Sequence, residues 1–296
     1  MATRFEVALW GRDESYLNAA GEQALDEILR LEQQLSLYRS DSDIHDLNAR
    51  AAYGPIPVDP RLFRLLERAK RLSEETGGAF DITVAPLMRA WGFMGASGRM
   101  ADPEEVAAAR ELVGMDRVVL DEETFMVRFL REGVTLDLGA IGKGYAIEQA
   151  GEILRDLEVG GALLHGGTSS ILAVGGQPDG TPWQVAVQHP VDSEQHLAVV
   201  SLQDAALSVS AAHGKSFTQD DVRYGHVLDP RTGQPVRNAL LAAVVCESAT
   251  DGDALSTALL VLGEPFLDPL TARPATSGLV ALPAEAGDLR VLSRLP

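Results

Sequence analysis

Residues 136–146 combine three glycines, a lysine and an acidic residue, and read Leu-Asp-Leu-Gly-Ala-Ile-Gly-Lys-Gly-Tyr-Ala. The pattern predicts an apolar strand that ends at Asp137, a tight turn, and a helix that begins near Lys143. Glycine lets the backbone approach a ligand, and the N–H groups of such a turn and of a helix N-terminus attract anions. Lys143 adds a positive charge. The segment therefore predicts a phosphate-binding loop, although a purely structural turn has the same composition.

The glycine spacing excludes the two common nucleotide-binding signatures. A Walker loop has four residues between its glycines and a Ser or Thr after the lysine, whereas Gly144 follows Lys143 here. A dinucleotide fingerprint reads G-x-G-x-x-G, whereas Gly139, Gly142 and Gly144 have the reverse spacing. The spacing therefore matches neither signature.

Asp253 and Thr257 are four residues apart in segment 248–257, which reads Ser-Ala-Thr-Asp-Gly-Asp-Ala-Leu-Ser-Thr. On a helix, residues i and i+4 share one face, so the carboxylate and the hydroxyl can converge. Both supply hard oxygen ligands of the kind that Mg²⁺ and Ca²⁺ prefer. The alternative is structural, with an acidic N-cap and a threonine that bonds back to the helix backbone. If Asp251 is the cap, Asp253 is available for another role.

His226 precedes a turn in segment 224–236, which reads Tyr-Gly-His-Val-Leu-Asp-Pro-Arg-Thr-Gly-Gln-Pro-Val. Asp-Pro and Thr-Gly favour turns, so much of the segment has a structural explanation. The turn does not require His226, which we expect at the end of a short strand. Histidine titrates near neutral pH and can accept a proton from a hydroxyl. Tyr38 is either the edge of a core or a stacking platform for a flat ring.

The elements that must position these residues are helices and strands in irregular order. Helical periodicity and end signals, including Asp59-Pro60 and Gly77, predict helices over residues 14–35, 60–76, 103–113, 147–157 and 251–262. Alternating and apolar runs predict strands over 4–10, 162–165, 171–174, 183–188, 198–202, 206–209 and 240–246, a hairpin over 117–138 and a short hairpin at the end. This order predicts an α+β fold with a largely antiparallel sheet and flanking helices. Residues 1–296 contain no repeat and no long linker, so we expect one domain with two interleaved lobes.

Composition excludes several classes of function. The chain has 296 residues, 46% of them hydrophobic, which is enough for a large core. Its formal charge of −18 argues against a nucleic-acid partner and against adhesion to anionic membranes. The single cysteine, Cys246, excludes an internal disulfide and is expected in a buried strand. No apolar run is long enough to span a membrane and the N-terminus lacks signal-peptide features, which predicts a cytoplasmic protein, or a periplasmic one if a leader has been removed.

Six short motifs follow one another in order along nearly the whole chain. They read Leu-Ser-x-Tyr-x-x-Asp-Ser-Asp with Leu-Asn (35–48), Thr-Gly-Gly-Ala-Phe-Asp-Ile-Thr (76–83), Asp-Leu-Gly-Ala-Ile-Gly-Lys-Gly-Tyr (137–145), His-Gly-Gly (165–167), His-x-x-Asp-Pro-Arg-Thr-Gly (226–233) and Asp-Ala-Leu-Ser-Thr-Ala-Leu (253–259). This series closely resembles the ApbE family, the FAD:protein FMN transferases. The resemblance implies an α+β fold with two lobes around a flavin cleft. It also implies an enzyme that moves FMN from FAD onto a Ser or Thr hydroxyl of an acceptor protein, with Mg²⁺ at the pyrophosphate and AMP as product.

The resemblance also implies roles for individual residues. Asp253, Thr257 and the backbone carbonyl of Ala140 would hold Mg²⁺. His226 would be the base for the acceptor hydroxyl, and Asp229 would orient it.

Further residues would contact FAD. Lys143 and the loop glycines Gly139 and Gly144 would face the phosphates, and Tyr38 would line the isoalloxazine ring. The residues expected at the nucleotide end are Asp81 and Thr83.

Two departures from the family pattern keep other functions open. Thr168 follows Gly166-Gly167 where many members have Asp, and Ser210-Ala211-Ala212-His213 stands where many have Ser-Gly-x-Tyr. One alternative is an Mg²⁺-dependent pyrophosphatase, in which water splits FAD into FMN and AMP. The other is a flavin-binding protein without catalytic activity.

Overall fold

The computed structural model describes residues 3–95, 98–192, 194–212, 214–284 and 288–295. The chain forms two compact units built from alternating segments. Unit 1 comprises Met1–Glu32, Ile141–Ala211 and Asn238–Pro296, and unit 2 comprises Gln33–Ala140 and Ala212–Arg237.

The helices include every long helix that the sequence predicts. In the described ranges the α-helices are α1 (Glu14–Leu35), α2 (Asp43–Arg50), α3 (Pro60–Glu75), α4 (Ala85–Ala90), α5 (Pro103–Arg110), α6 (Gly142–Asp156), α7 (Ala249–Leu262) and α8 (Leu267–Thr271). The unpredicted helices α2, α4 and α8 have eight, six and five residues, too few for an apolar period to show. None of these described helices combines the length and hydropathy that a membrane crossing requires.

The strands are mostly short and antiparallel. Those in the described ranges are β1 (Phe5–Trp10), β2 (Ile56–Pro57), β3 (Val118–Asp121), β4 (Met126–Phe129), β5 (Gly161–Gly166), β6 (Ser170–Val174), β7 (Trp183–Gln188), β8 (His196–Leu202), β9 (Ala206–Ala211), β10 (Ser216–Gln219), β11 (Val222–Gly225), β12 (Leu228–Asp229), β13 (Gln234–Pro235), β14 (Leu241–Cys246), β15 (Ser277–Pro283) and β16 (Leu289–Ser293). Mixed helices and antiparallel strands confirm the predicted α+β class.

Unit 1 is built on one antiparallel sheet with the strand order β1-β5-β6-β9-β14-β15-β16. Side chains alternate between its faces, because successive residues of a strand point to opposite sides. One face packs on the β7–β8 hairpin through residues such as Ile171, Leu207 and Ala243. The other face lies against α6 and α7. The central strands β6 and β14 are buried at every position, and Cys246 ends β14 with 6% of its surface exposed, as predicted.

Unit 2 combines α2 to α5 with small sheets. Helix α3 begins as predicted, since Asp59 caps it and Pro60 occupies its first turn. Strands β2, β4 and β3 form a sheet of three, while β10 pairs with β11 and β12 with β13. In an aromatic cluster, Trp91 and Phe93 pack against Phe217 and Tyr224 of the β10–β11 hairpin. The rings of Phe217 and Tyr224 are stacked, with their centroids 5.2 Å apart.

One predicted strand is wrong. The sequence analysis places an apolar strand just before the glycine loop, but residues 134–138 form no strand. Single hydrogen bonds hold them instead: the Asn48 side chain bonds both backbone groups of Leu136, and the Asp137 N–H donates to the Ile82 carbonyl at 2.7 Å. Val134, Leu136 and Leu138 are buried although this segment forms no strand. Alternating apolar residues alone therefore do not identify a strand here.

A close backbone contact in unit 2 predicts a sharp stability effect. A Cβ at Gly225 would lie 1.7 Å from the Ala212 carbonyl oxygen, whereas a Cβ at Gly54 would have no neighbour within 4 Å. We expect Gly225→Ala to destabilise the protein by about 1–3 kcal/mol through overpacking, and Gly54→Ala to change stability by less than about 0.5 kcal/mol. Denaturant unfolding of both variants measures this. Equal stabilities would contradict the tight β11 contact.

Candidate functional site

The helix α6 begins at Gly142, immediately after the glycine loop. Its N-cap residue, Ile141, provides no side-chain acceptor for the first N–H groups of the helix. Lys143 lies in this first turn, half-buried. Within the described residues, no hydrogen bond or ion pair engages the Lys143 ammonium group. A positive side chain and a positive helix end therefore coincide here.

Gly144 has a role that the sequence analysis does not anticipate. A Cβ at this position would lie 2.1 Å from the Ala249 carbonyl oxygen, so only glycine permits the close approach of α6 to α7. Its N–H donates to Asp253 Oδ2 at 2.7 Å. The Gly139 N–H likewise donates to Asp137 Oδ1 at 2.8 Å. This corrects the predicted phosphate-binding loop in one respect. The N–H groups of Gly139 and Gly144 already donate to carboxylates of the protein.

Asp253 is a buried carboxylate with only neutral hydrogen-bond donors. Its side chain lies in the second turn of α7 and the residue is 5% exposed. Oδ1 accepts from the Ser170 hydroxyl at 2.7 Å, and Oδ2 accepts from Gly144. In the described part of the chain, no Lys, Arg or His forms an ion pair with it. Burying a charge without a counter-ion is costly, which makes Asp253 a strong candidate for binding a cation.

Thr257 lies one turn further along α7. Its hydroxyl donates to the Asp253 carbonyl at 3.1 Å, which is the backbone bond of the structural alternative, and it lies 3.2 Å from Ser210 Oγ. Ser210 Oγ is also 2.8 Å from Ser256 Oγ. The donated proton leaves lone pairs on Thr257 Oγ1, so this bond is compatible with a ligand role.

The N-terminus of α7 is capped by other residues than expected. Ser248 is the N-cap and accepts from the Asp251 N–H at 3.1 Å, so Asp251 is not the cap. Glu148 of α6 accepts from the Ser248 hydroxyl at 2.5 Å and from the Thr250 N–H at 2.9 Å. This carboxylate fixes α7 against α6 and so helps to place Asp253. The sequence analysis missed Glu148, because its partners are more than 99 positions away in the chain.

In unit 2, His226 follows β11 as predicted. Its N–H donates to the Lys215 carbonyl at 2.9 Å, which closes the end of the β10–β11 hairpin. The half-buried ring meets Phe93 edge-on at 6.5 Å. A Cβ at Gly214 would lie 2.8 Å from His226 Cε1, so the ring rests against a bare backbone. The imidazole is therefore held in a defined place by hairpin, ring and glycine.

Asp229 lies in β12, at the start of the predicted turn. Both of its carboxylate oxygens accept from the Arg231 guanidinium at 2.9 Å, and Oδ1 also accepts from the Arg231 N–H. The bidentate bond raises the pKa of Arg231. The Gly233 N–H closes the turn on the Asp229 carbonyl at 2.7 Å. The carboxylate thus organises the turn that follows His226, and its orienting effect on the imidazole stays a prediction.

Tyr38, Asp137 and Lys215 interact electrostatically in unit 2. Burial raises the pKa of the Asp137 carboxyl, and the Gly139 hydrogen bond and the positive charge of Lys215 oppose this rise. Burial and the charge of Asp137 raise the pKa of Tyr38. The Tyr38 residue is nevertheless 66% exposed, so its ring offers a flat apolar surface to solvent. The sequence pattern identified Asp137 only as the end of a strand, although its position at the head of the glycine motif was a signal for a role in the site.

Asp81 and Thr83 are buried and engaged by the protein itself. Asp81 accepts from Ser73, from the Thr83 N–H and hydroxyl, and from the Met115 N–H. Burial raises the pKa of Asp81 in spite of these bonds. Thr83 is 0% exposed and its hydroxyl also accepts from the Gly114 N–H at 2.6 Å. In this conformation both side chains shape the surrounding loop, and a direct contact with a nucleotide stays a prediction.

The candidate metal ligands are few. Within the described ranges there is no cluster of three or more His, Cys, Asp or Glu side chains that could hold a metal ion. Unit 1 offers the Asp253 carboxylate and the Thr257 hydroxyl, and Ala140 is the last residue of the preceding segment of unit 2. A set with one carboxylate suits Mg²⁺, which commonly keeps several waters and binds substrate phosphates in addition to one or two carboxylates.

The raised pKa of Asp137 predicts a pH dependence of stability. As the pH rises from the ordinary value of 3.8 through the folded pKa, the unfolded chain releases this proton first. The free energy of unfolding therefore falls over that range, and Asp137→Asn should make the fall smaller. Denaturant unfolding at a series of pH values measures the slope.

Asp41 provides a control of opposite sign. Hydrogen bonds from Arg39 lower the pKa of this exposed carboxyl, so its contribution is lost as the pH falls. Below the ordinary carboxyl pKa of 3.8, the free energy of unfolding should rise with pH in the wild type, and Asp41→Asn should remove this rise. An unchanged slope in Asp137→Asn would contradict the assignment.

Comparison with known proteins gives a consistent result. The model of the ApbE family matches residues 1–281. A Vibrio cholerae relative named FAD:protein FMN transferase is 30% identical over 257 residues, which cover 85% of this chain and 75% of the relative. The crystal structure of the ApbE protein from Thermotoga maritima superposes with a TM-score of 0.87 at 28% identity and covers 97% of this chain and 93% of that chain. The apo form of the Pseudomonas stutzeri flavinyl transferase ApbE gives 0.85 at 30% identity, with 98% and 90% covered. The chain belongs to the ApbE family.

Proposed function

We propose that this protein is an Mg²⁺-dependent FAD:protein FMN transferase, which moves FMN from FAD onto a Ser or Thr hydroxyl of an acceptor protein and releases AMP. Membership of the ApbE family and the names of the relatives support the reaction. The observation that carries the metal dependence is the buried Asp253 carboxylate with only neutral donors.

Asp253, Thr257 and the carbonyl of Ala140 are the proposed Mg²⁺ ligands. Each oxygen of Asp253 has one protein donor, which leaves lone-pair sites for a cation. When bound, Mg²⁺ neutralises charge on the phosphates during phosphoryl transfer. Binding of the phosphates is further supported by Lys143 and by the uncapped N-terminus of α6, where N–H groups and the helix dipole favour anions.

His226 is the proposed base. The acceptor hydroxyl oxygen forms a bond to the phosphorus of the FMN half, the bond from that phosphorus to the AMP oxygen breaks, and the hydroxyl proton passes to the imidazole. The hairpin and Phe93 hold the ring in place, as this role requires. Asp229, through its turn with Arg231, is the proposed positioning residue for His226.

The remaining residues are proposed to bind the rest of FAD. The exposed ring of Tyr38 suits stacking on the isoalloxazine. Gly139 permits close backbone approach, and Gly144 places α6 for the phosphates. Asp81 and Thr83 are proposed to shape the loop at the nucleotide end through their buried bonds. The whole chain would then act as one catalytic domain.

Mass spectrometry tests the function directly. The protein is incubated with FAD, MgCl₂ and a purified acceptor domain that carries FMN on a Ser or Thr in its mature form, and AMP is quantified. We expect the acceptor to gain the mass of FMN with one AMP per transfer. His226→Ala should slow the transfer by about 10²- to 10⁴-fold. Asp253→Ala should lose the transfer in Mg²⁺ buffer, and the exposed His45→Ala should match the wild type.

The other outcomes identify the competing functions. AMP and free FMN without acceptor labelling would favour the pyrophosphatase. Bound FAD without AMP under any metal condition would favour a non-catalytic flavin-binding protein. Full transfer by Asp253→Ala in Mg²⁺ buffer would show that the metal site is wrong.

A further inference from the structure

Ser170 is a buried serine that contacts the Asp253 carboxylate. It is the first residue of β6 and has 0% of its surface exposed. Its hydroxyl donates to Asp253 Oδ1 at 2.7 Å, across 83 positions of the chain. A hydroxyl that has this single strong acceptor in a closed environment is fixed in direction.

The Asp253 carboxylate is held from two sides. Ser170 of the sheet binds Oδ1, and the Gly144 N–H of α6 binds Oδ2 at 2.7 Å. Two donors on different oxygens fix the rotation of the carboxylate plane. A carboxylate oxygen accepts about two hydrogen bonds, so each oxygen keeps one lone-pair direction that these donors do not use.

We propose that Ser170 is a positioning residue that orients the Asp253 carboxylate for a divalent cation. This inference rests on the proposed metal site. A neutral donor suits the task, because it fixes the carboxylate without the positive charge by which Lys or Arg would repel the cation. Groups that hold metal ligands in this way typically account for about 10- to 100-fold in metal affinity.

Ser208 provides a matched control in the same sheet. It is paired directly with Ser170 across β6 and β9, so both side chains lie on the same face. It is also 0% exposed. Its hydroxyl, however, has no hydrogen-bond partner among the described residues. Ser208→Ala therefore removes a buried hydroxyl from the same face without touching the carboxylate.

Binding of Mn²⁺ by the protein, followed by the loss of the free-ion signal in electron paramagnetic resonance, tests the proposal. We expect Ser170→Ala to raise the Kd for Mn²⁺ by about 10- to 100-fold and Ser208→Ala to leave it within about twofold of the wild type. Ser170→Thr, which keeps a hydroxyl, should restore most of the affinity. Wild-type affinity in Ser170→Ala would overturn the role of Ser170 while leaving the metal site intact.

Thermal unfolding separates positioning from a general effect on folding. Each variant is melted in EDTA and in MgCl₂, and the increase in Tm caused by Mg²⁺ is compared. A purely structural role would lower both Tm values equally and leave the increase unchanged, which would overturn the proposal. A smaller increase in Ser170→Ala supports it. If the wild type binds no Mn²⁺, or if Asp253→Asn binds it normally, the metal site fails and the inference fails with it.

Discussion

The burial of one carboxylate constrains much of unit 1. Asp253 is enclosed by α6, α7 and β6, and among the residues that the structure describes its carboxylate accepts hydrogen bonds from a serine hydroxyl and a backbone N–H, with no ion pair. Burying a charge in this way has a high cost in free energy unless a cation also binds. Several local features follow from that requirement. Gly144 must be glycine so that its N–H can reach the carboxylate, and Glu148 must cap α7 so that the helix keeps its position.

Unit 2 holds several of the candidate site residues on loops and at the ends of short strands. Its turns are organised by carboxylates that are saturated with hydrogen bonds. Asp81 binds donors from three segments, and Asp229 binds Arg231 at both oxygens. The β10–β11 hairpin is stiffened by stacked rings and ends at His226. Rigid supports of this kind reduce the reorganisation that a reaction would require.

The sequence predicts correctly those features of the fold that depend on residues close together in the chain. The helix α1 has the predicted bounds, Asp59 and Pro60 begin α3, and His226 directly follows the strand β11, because periods, caps and turns depend on neighbouring residues. The strand prediction was wrong where an apolar segment makes its hydrogen bonds to residues far away in the chain. Residues 134–138 look like a strand but bond individually to Asn48 and Ile82. Ser170 and Glu148 gave no signal, since their partners come from elements brought together only by the sheet and by the packing of α6 on α7.

Asp253 and Thr257 form the proposed site for a hard divalent cation. Crystals of the protein soaked in MnCl₂ and measured near the manganese absorption edge test it most directly, because anomalous scattering locates Mn²⁺ independently of the refined atoms. We expect a peak in direct contact with the Asp253 carboxylate and the Thr257 hydroxyl, and its loss in Asp253→Asn. A map without a peak at Asp253 at millimolar Mn²⁺, or with the same peak in the variant, would contradict the proposed site.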